Sequence, residues 1–217
     1  MLGLSGGVDS ALVAALAKRA VGRKRLLCLL LPCGSSNQDQ QDAKLMIKKF
    51  GLKYKLVEIT PIYKSLCKIL PWGDRRVMGN LKARLRMLVI YYFANKLNYL
   101  VCGTGNKSEL LVGYFTKYGD GGVDILPLAS LLKKEVRELA RELGVPRSII
   151  DKHPTAGLWA GQTDEKELGI SYNELDSILF RLERKRKQVS PPNKVKKVQA
   201  MIKSSQHKRQ PAAIFRP

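Results

Sequence analysis

Gly3-Leu4-Ser5-Gly6-Gly7-Val8-Asp9-Ser10 joins a short apolar run to a segment rich in alanine and leucine at helical spacing. Glycines let a backbone approach a polyphosphate closely, successive N–H groups form an anion nest, and a helix N-terminus adds its dipole. Ser5 and Ser10 contribute hydroxyl donors. Asp9 sets a carboxylate where phosphates would repel it, which is favourable only with a cation between them. The segment predicts a nucleotide site that carries its own metal ligand. No Gly-Lys-Ser/Thr follows the glycines and no G-x-G-x-x-G occurs, so this is neither a Walker loop nor a dinucleotide fingerprint. A plain turn before a helix would not need three glycines, two serines and an aspartate in this order.

A second set of polar groups lies mid-chain. Gly103-Thr104-Gly105-Asn106-Lys107-Ser108-Glu109 follows an apolar stretch, and Gly113 to Asp124 then carries Lys117 and Asp120 among glycines before Leu126 to Lys133. Such connections make poor cores and good sites. The phosphate loop resembles that of the PP-loop ATP pyrophosphatases. With Asn80-Leu-Lys-Ala-Arg84-Leu-Arg-Met, Gly103-Thr-Gly, Phe115-Thr-Lys-Tyr-Gly-Asp-Gly-Gly, Pro154-Thr, Glu167-Leu-Gly-Ile-Ser-Tyr and His207-Lys-Arg, the chain from Gly3 to about Arg209 resembles the ammonia-dependent NAD synthetase family.

The resemblance implies that the nicotinate carboxylate of deamido-NAD attacks the α-phosphate of ATP, giving an acyl adenylate and pyrophosphate, and that ammonia then displaces AMP to leave NAD. Gly3, Leu4, Ser5, Gly6, Gly7, Val8, Asp9 and Ser10 are implied to bind ATP phosphates, Thr104 and Thr155 to contact ATP, and Lys133 to reach its phosphates. Asp9 and Glu109 are implied to hold Mg²⁺, which neutralises developing charge. Arg84, Lys117, Asp124, His207 and Lys208 are implied to bind deamido-NAD, and Asp120 to receive ammonium and help deprotonate it. Asp9, Lys133 and Asp120 form the implied catalytic set. A homodimer with deamido-NAD near the subunit interface is also implied. The family carries a helical segment before the phosphate loop, whereas Met1 stands two residues ahead of Gly3, so the start is expected to be either truncated or to lack that element. No glutaminase domain fits in this length, and ammonia is expected from solution or from a separate partner.

These groups need a frame. Met1 to Leu4, Leu26 to Leu31, Tyr54 to Ile59 and Tyr99 to Cys102 read as strands, and Ser10 to Ala20, Gln40 to Phe50, Asn80 to Leu97 and Lys133 to Leu143 as helices, the last stopped by Gly144 and Pro146. The alternation predicts an α/β fold, a parallel twisted sheet with helices on both faces, Rossmann-like and of the adenine nucleotide alpha hydrolase type, with a helical C-terminal extension. Its loops would gather at the carboxyl ends of the strands. A single domain 1–217 is expected, with a core at 1–150, a mobile substrate loop at 153–167 and a basic helical region at 171–217. Within that region, helices are expected from Ser171 to Lys187 and from Ser190, Pro191 and Pro192 onward. Gly34 to Asp39 reads as a second mobile loop.

With 217 residues, 45% of them hydrophobic and 26% charged, a core needs neither disulfides nor a structural metal. Cys28, Cys33, Cys67 and Cys102 form no C-x-x-C pair and are expected to be buried free thiols in a cytoplasmic protein. The longest apolar run, Leu26 to Leu31, is far below the ~20 residues of a membrane span. Net charge is +21, and more than half of the excess lies from Arg181 onward, where twelve Lys/Arg face one acid. Solvated charge or a polyanionic small molecule accounts for that tail without nucleic acid. Two competing readings are a tRNA-modifying PP-loop enzyme and a nucleotide sensor without catalysis.

Overall fold

The computed structural model describes residues 1–185 and 191–215. Three short parallel strands, β1 (Leu2–Gly3), β2 (Cys28–Leu30) and β3 (Tyr54–Leu56), lie in the order β1-β2-β3. Helices α1 (Val8–Val21) and α2 (Asn37–Phe50) make the crossovers, followed by α3 (Thr60–Ile69) and the long α4 (Arg75–Leu97). Then come α5 (Lys107–Val112), α6 (Lys133–Glu142), α7 (Arg147–Ile150), α8 (Asp164–Leu168), α9 (Tyr172–Glu183) and α10 (Pro192–Ser204).

Strand alternation divides the interior. Leu2, Leu4, Cys28 and Leu30 pack with α1, α2, α6 and α7 on one face, whereas Met1, Leu29 and Leu31 pack with α3 and α4 on the other. Helices cover both faces, as expected of a parallel sheet. A third cluster, outside the sheet, joins Val112 of α5 and Leu168 of α8 to Tyr172, Leu175 and Ile178 of α9 and Val198 of α10.

Several expectations need correction. Tyr99 to Cys102 is not a strand: Cys102 bridges Leu2 on one side and Ile125 on the other, and the chain then turns away at Gly103, whose N–H bonds to Ile125. The other three strands are shorter than their apolar runs. The loop at Gly34 ends early, because Ser36 caps α2 by accepting from the Asp39 N–H at 3.1 Å. The helix expected from Asn80 starts at Arg75, capped by Asp74. Helix α9 ends at Glu183 rather than Lys187, and both Lys187 and Ser190 lie outside the described residues. Cys28, Cys33 and Cys102 are buried free thiols, whereas Cys67 is half-buried. Among the described residues, no helix is long and apolar enough to cross a membrane.

Leu12, fully buried where α1 meets the sheet, reports on this frame. Leu12→Ala should cost about 3 kcal/mol of unfolding free energy in a denaturant titration, the price of an unfilled cavity beneath the phosphate loop.

Candidate active site

Gly3 to Ser10 runs from β1 into α1. At Gly6, with φ +86°, a Cβ would stand 2.3 Å from the Asp39 carbonyl oxygen, so the loop can pack against the start of α2 only as glycine. Ser10 Oγ donates to the Gly7 carbonyl at 3.0 Å and accepts from the Ser5 N–H at 3.2 Å, closing the loop on itself. Gly7 caps α1 and offers no side chain, which leaves the first turn for a ligand.

The loop borders a cleft of about 930 Å³ at the carboxyl ends of the strands. On its wall Lys133 Nζ donates to Asp9 Oδ2 at 2.7 Å and to Glu109 Oε1 at 2.9 Å. These three side chains come from the starts of α1, α5 and α6, more than 100 residues apart at the extremes. Asn106 is fully buried and holds two of them in register: its Oδ1 accepts from the Glu109 N–H in a capping box, and its Nδ2 donates to Asp9 Oδ1 at 2.8 Å. Burial pushes the Glu109 carboxyl up to about 7, against the pull of Lys133 and with the push of Asp9. Burial opposes the charge on Lys133, but Asp9 and then Glu109 outweigh it and hold the ammonium on.

Behind this trio lies a second set of acids. Tyr172 OH donates toward Glu109 Oε1 at 3.2 Å and Asp164 Oδ2 at 3.1 Å, while Lys133 Nζ sits 4.8 Å from its ring centroid. Tyr114 OH bonds to Asp164 at 3.0 Å and to Glu167 at 2.5 Å, and Gln162 donates to Glu167. The start of α6 is fixed from α9, since Asp176 accepts from Ser108 and from the Lys134 N–H, and Ser108 accepts from the Lys133 N–H.

At the far end, Asp120 faces the cleft and accepts from the Thr116 N–H at 2.8 Å. Surrounding protein raises its carboxyl above the ordinary range, although the Thr116 N–H and the Lys208 charge oppose the shift. Arg84 donates to the Lys117 carbonyl, Lys117 Nζ to the His207 carbonyl at 2.5 Å, and Lys208 Nζ to the Gly113 and Phe115 carbonyls at 2.8 Å. Residues 206–208 thus dock on the 113–117 connection.

The cleft brings together Gly3, Leu4, Ser5, Gly7, Val8, Asp9, Ser10, Arg84, Thr104, Glu109, Lys117, Asp120, Lys133, Thr155, His207 and Lys208. Gly6 lies beneath the loop, against Asp39. Asp124 is not brought there: its carboxylate accepts from Tyr91 OH and from the Val101 N–H, fixing the connection after Cys102. Sequence reasoning gave no role to Asn106, Tyr114, Asp164 or Tyr172, nor to Arg86 and Lys152, which also line the cleft. Tyr172 ends a motif that supported the family resemblance, and that was its only signal.

The model of the family described as NAD synthase matches residues 1–212. The NH₃-dependent NAD⁺ synthetase of Archaeoglobus fulgidus is 50% identical over 218 residues, covering all of this chain and 87% of the relative. That of Pyrococcus furiosus is 47% identical, covering 96% and 84%. Among solved structures, NMN synthetase from Francisella tularensis is similar at a TM-score of 0.90 and 41% identity over 99% of this chain and 87% of its own. The NH₃-dependent NAD synthetase from Campylobacter jejuni, in complex with nitrate ion, gives 0.86 and 34% over 99% and 88%.

Lys133→Met removes the cation that Asp9 and Glu109 share. Denaturant titration should show a loss of about 3–5 kcal/mol, the cost of stranding buried charge, and adding Asp9→Asn should return part of it.

Proposed function

The chain belongs to the NAD synthase family, and from that premise we propose that one cleft carries both halves of an ATP-dependent amidation. The reaction is ammonia-dependent synthesis of NAD, a ligation that forms a carbon–nitrogen bond. In the first half a carboxylate oxygen of deamido-NAD bonds to the α-phosphorus of ATP as the α–β bridging P–O bond breaks and pyrophosphate leaves. In the second, the nitrogen of ammonia bonds to the acyl carbon, the C–O bond to AMP breaks, and the surplus proton is taken up.

The observation that carries the assignment of roles is the shared ammonium. Lys133 stands between Asp9 and Glu109 beside the first turn of α1, which no side chain caps, so two carboxylates and one ammonium are gathered where a divalent cation and triphosphate charge would meet. Mg²⁺ fits the same pair: two hard carboxylates converge on one point, and a small ion that keeps waters and phosphate oxygens needs few protein ligands. Among the described residues no group of three or more His, Cys, Asp or Glu is arranged for a metal, which suits an ion completed by substrate. When bound, it supplies neutralisation of phosphate charge. The flexible stem of Lys133 lets its ammonium serve the phosphates when the carboxylates serve the ion.

Asp120 acts on the second half. Its raised pKa makes it a stronger base than an ordinary aspartate, suited to taking a proton from ammonium. Arg84, Lys117 and Lys208 supply the positive wall for the phosphates of deamido-NAD, with His207 beside them as a further contact. Thr104 and Thr155 serve ATP, the loop at 153–167 closes over the bound substrates, and the chain works as a single unit. Four free thiols suit a reducing cytoplasm.

The test follows NAD, AMP and pyrophosphate together, with deamido-NAD, ATP, Mg²⁺ and an ammonium salt. Nicotinate mononucleotide is the comparison substrate, because one similar structure is that of an NMN synthetase. Equal amounts of NAD and AMP, abolished by a chelator, support the reading. Asp120→Asn should keep pyrophosphate exchange while amide formation falls by about 10²–10⁴-fold. Loss of exchange as well would remove Asp120 from the second half.

The chain also forms a homodimer in this reading. Leu88 and Tyr92, 63% and 60% exposed and one turn apart on the outer face of α4, need a cover that the described residues do not provide. Mass measurement in solution should give twice the chain mass, and Leu88→Glu should halve it. A wild-type monomer that makes NAD would overturn the assembly.

A further inference from the structure

Arg86 stands on α4, beside the cleft wall and next to the end of β2. Its Nε donates to the Leu31 carbonyl at 3.1 Å and its Nη2 to Ser35 Oγ at 3.4 Å. These two anchors use one edge of the guanidinium. They leave Nη1 without a protein acceptor among the described residues, and Nη1 is not sealed from the cleft that Arg86 lines. Among the described residues the charge has no carboxylate hydrogen-bond partner either. Asp39 is near enough to favour it, but its Oδ1 is taken by Lys152 at 2.6 Å. Asp120 is also near, but accepts from Thr116 instead.

A half-buried guanidinium held by neutral acceptors is costly unless an anion completes it. Its donors form a planar fork that matches two oxygens of a phosphate or carboxylate. Position selects which anion. The phosphate loop follows β1, and the Leu31 anchor follows β2, the adjacent strand, so Arg86 stands at the carboxyl ends beside that loop. Asp39, whose carbonyl packs on Gly6, and Asp120, the acceptor for ammonium in the reading above, both lie near its charge. The atom that must lie between phosphate loop and ammonia acceptor is the α-phosphorus, which is shared by ATP and the acyl adenylate.

We propose that Arg86 is a further catalytic residue, binding the non-bridging oxygens of the α-phosphate through its free edge while Leu31 and Ser35 hold the fork in place. This rests on the amidation reading above. Arg86 would then stabilise negative charge on the α-phosphate as the carboxylate oxygen arrives and pyrophosphate leaves, and later hold AMP as a leaving group.

Arg86→Gln keeps N–H donors near the Leu31 carbonyl and removes the charge, and Arg86→Lys keeps charge without the fork. Pyrophosphate exchange in the presence of deamido-NAD should fall about 100-fold in Arg86→Gln, as when one oxyanion donor is removed, with the KM values for deamido-NAD and ammonium within about threefold of wild type. Arg86→Lys should recover part of the rate. Circular dichroism melts establish that each variant is folded, and if Arg86→Gln does not fold, Arg86→Lys alone decides. Exchange at the wild-type rate in the folded variant overturns the proposal. So does a defect confined to the KM of deamido-NAD, which would give Arg86 to the nicotinate carboxylate, or one confined to amide formation. Wild-type protein that makes no NAD would sink the amidation reading itself. Active wild type with an equally active Arg86→Gln sinks only the role of Arg86.

Discussion

One ammonium shared by two carboxylates fixes this molecule. Lys133 binds Asp9 and Glu109 together, and the three residues begin three different helices. Bringing two like charges and one opposite charge out of water is expensive, and the cost is tolerable only if every donor and acceptor is satisfied. Asn106 bonds to Asp9 and caps Glu109's helix, Tyr172 serves Glu109, and the backbone at Lys133 is held through Ser108 by Asp176. The third hydrophobic cluster exists to seat those partners. Without α9, neither Tyr172 nor Asp176 would reach the trio.

The arrangement places three potential phosphate ligands under constraint before any nucleotide arrives. An uncapped helix N-terminus, a glycine loop closed by Ser5 and Ser10, and a buried cation all face one cleft. Preorganised charge is worth more there than in water, because the surroundings do not need to reorient during reaction. The opposite wall of the cleft is built differently. Arg84, Lys117 and Lys208 bond to backbone carbonyls across a late turn of the chain, so that wall depends on the docking of residues 206–208. One side of the cleft is thus held by the starts of three helices, and the other by the docking of residues 206–208.

How far the sequence could be read follows from the range of each interaction. Gly3 to Ser10 is a local motif, and its loop, strand and helix were readable because every part lies within about ten residues. Hydrophobic alternation gave β1, β2, α1 and α6 for the same reason. Tyr99 to Cys102 looked like a strand, but an apolar run records burial and not a ladder, and only Cys102 is bridged. Short helices such as α5 and α7 have too few residues for a period. That Asp124 stands apart from the cleft lining was not legible, because its partners, Tyr91 and the Val101 N–H, are a helix and a turn away. Asn106 and Tyr172 lay inside motifs but carried no sign of their roles, since a neutral side chain that positions a charged one looks ordinary until its neighbours are known.

The phosphate loop and the loop at 153–167 are also joined mechanically. Lys152, immediately before that loop, pairs with Asp39 and Asp42 of α2. The carbonyl of Asp39 is the surface on which Gly6 rests, at a spacing that no side chain could share. Farther along, Leu158 accepts from Lys82 of α4, and Trp159 lies where a Cβ at Gly79 would touch it at 3.0 Å. The loop is therefore tied at its root to the helix that supports the phosphate loop and at its middle to the helix that carries Arg84 and Arg86. A displacement at either tie changes the surroundings of one substrate through the other's support, which makes the two halves of the cleft a single packed object.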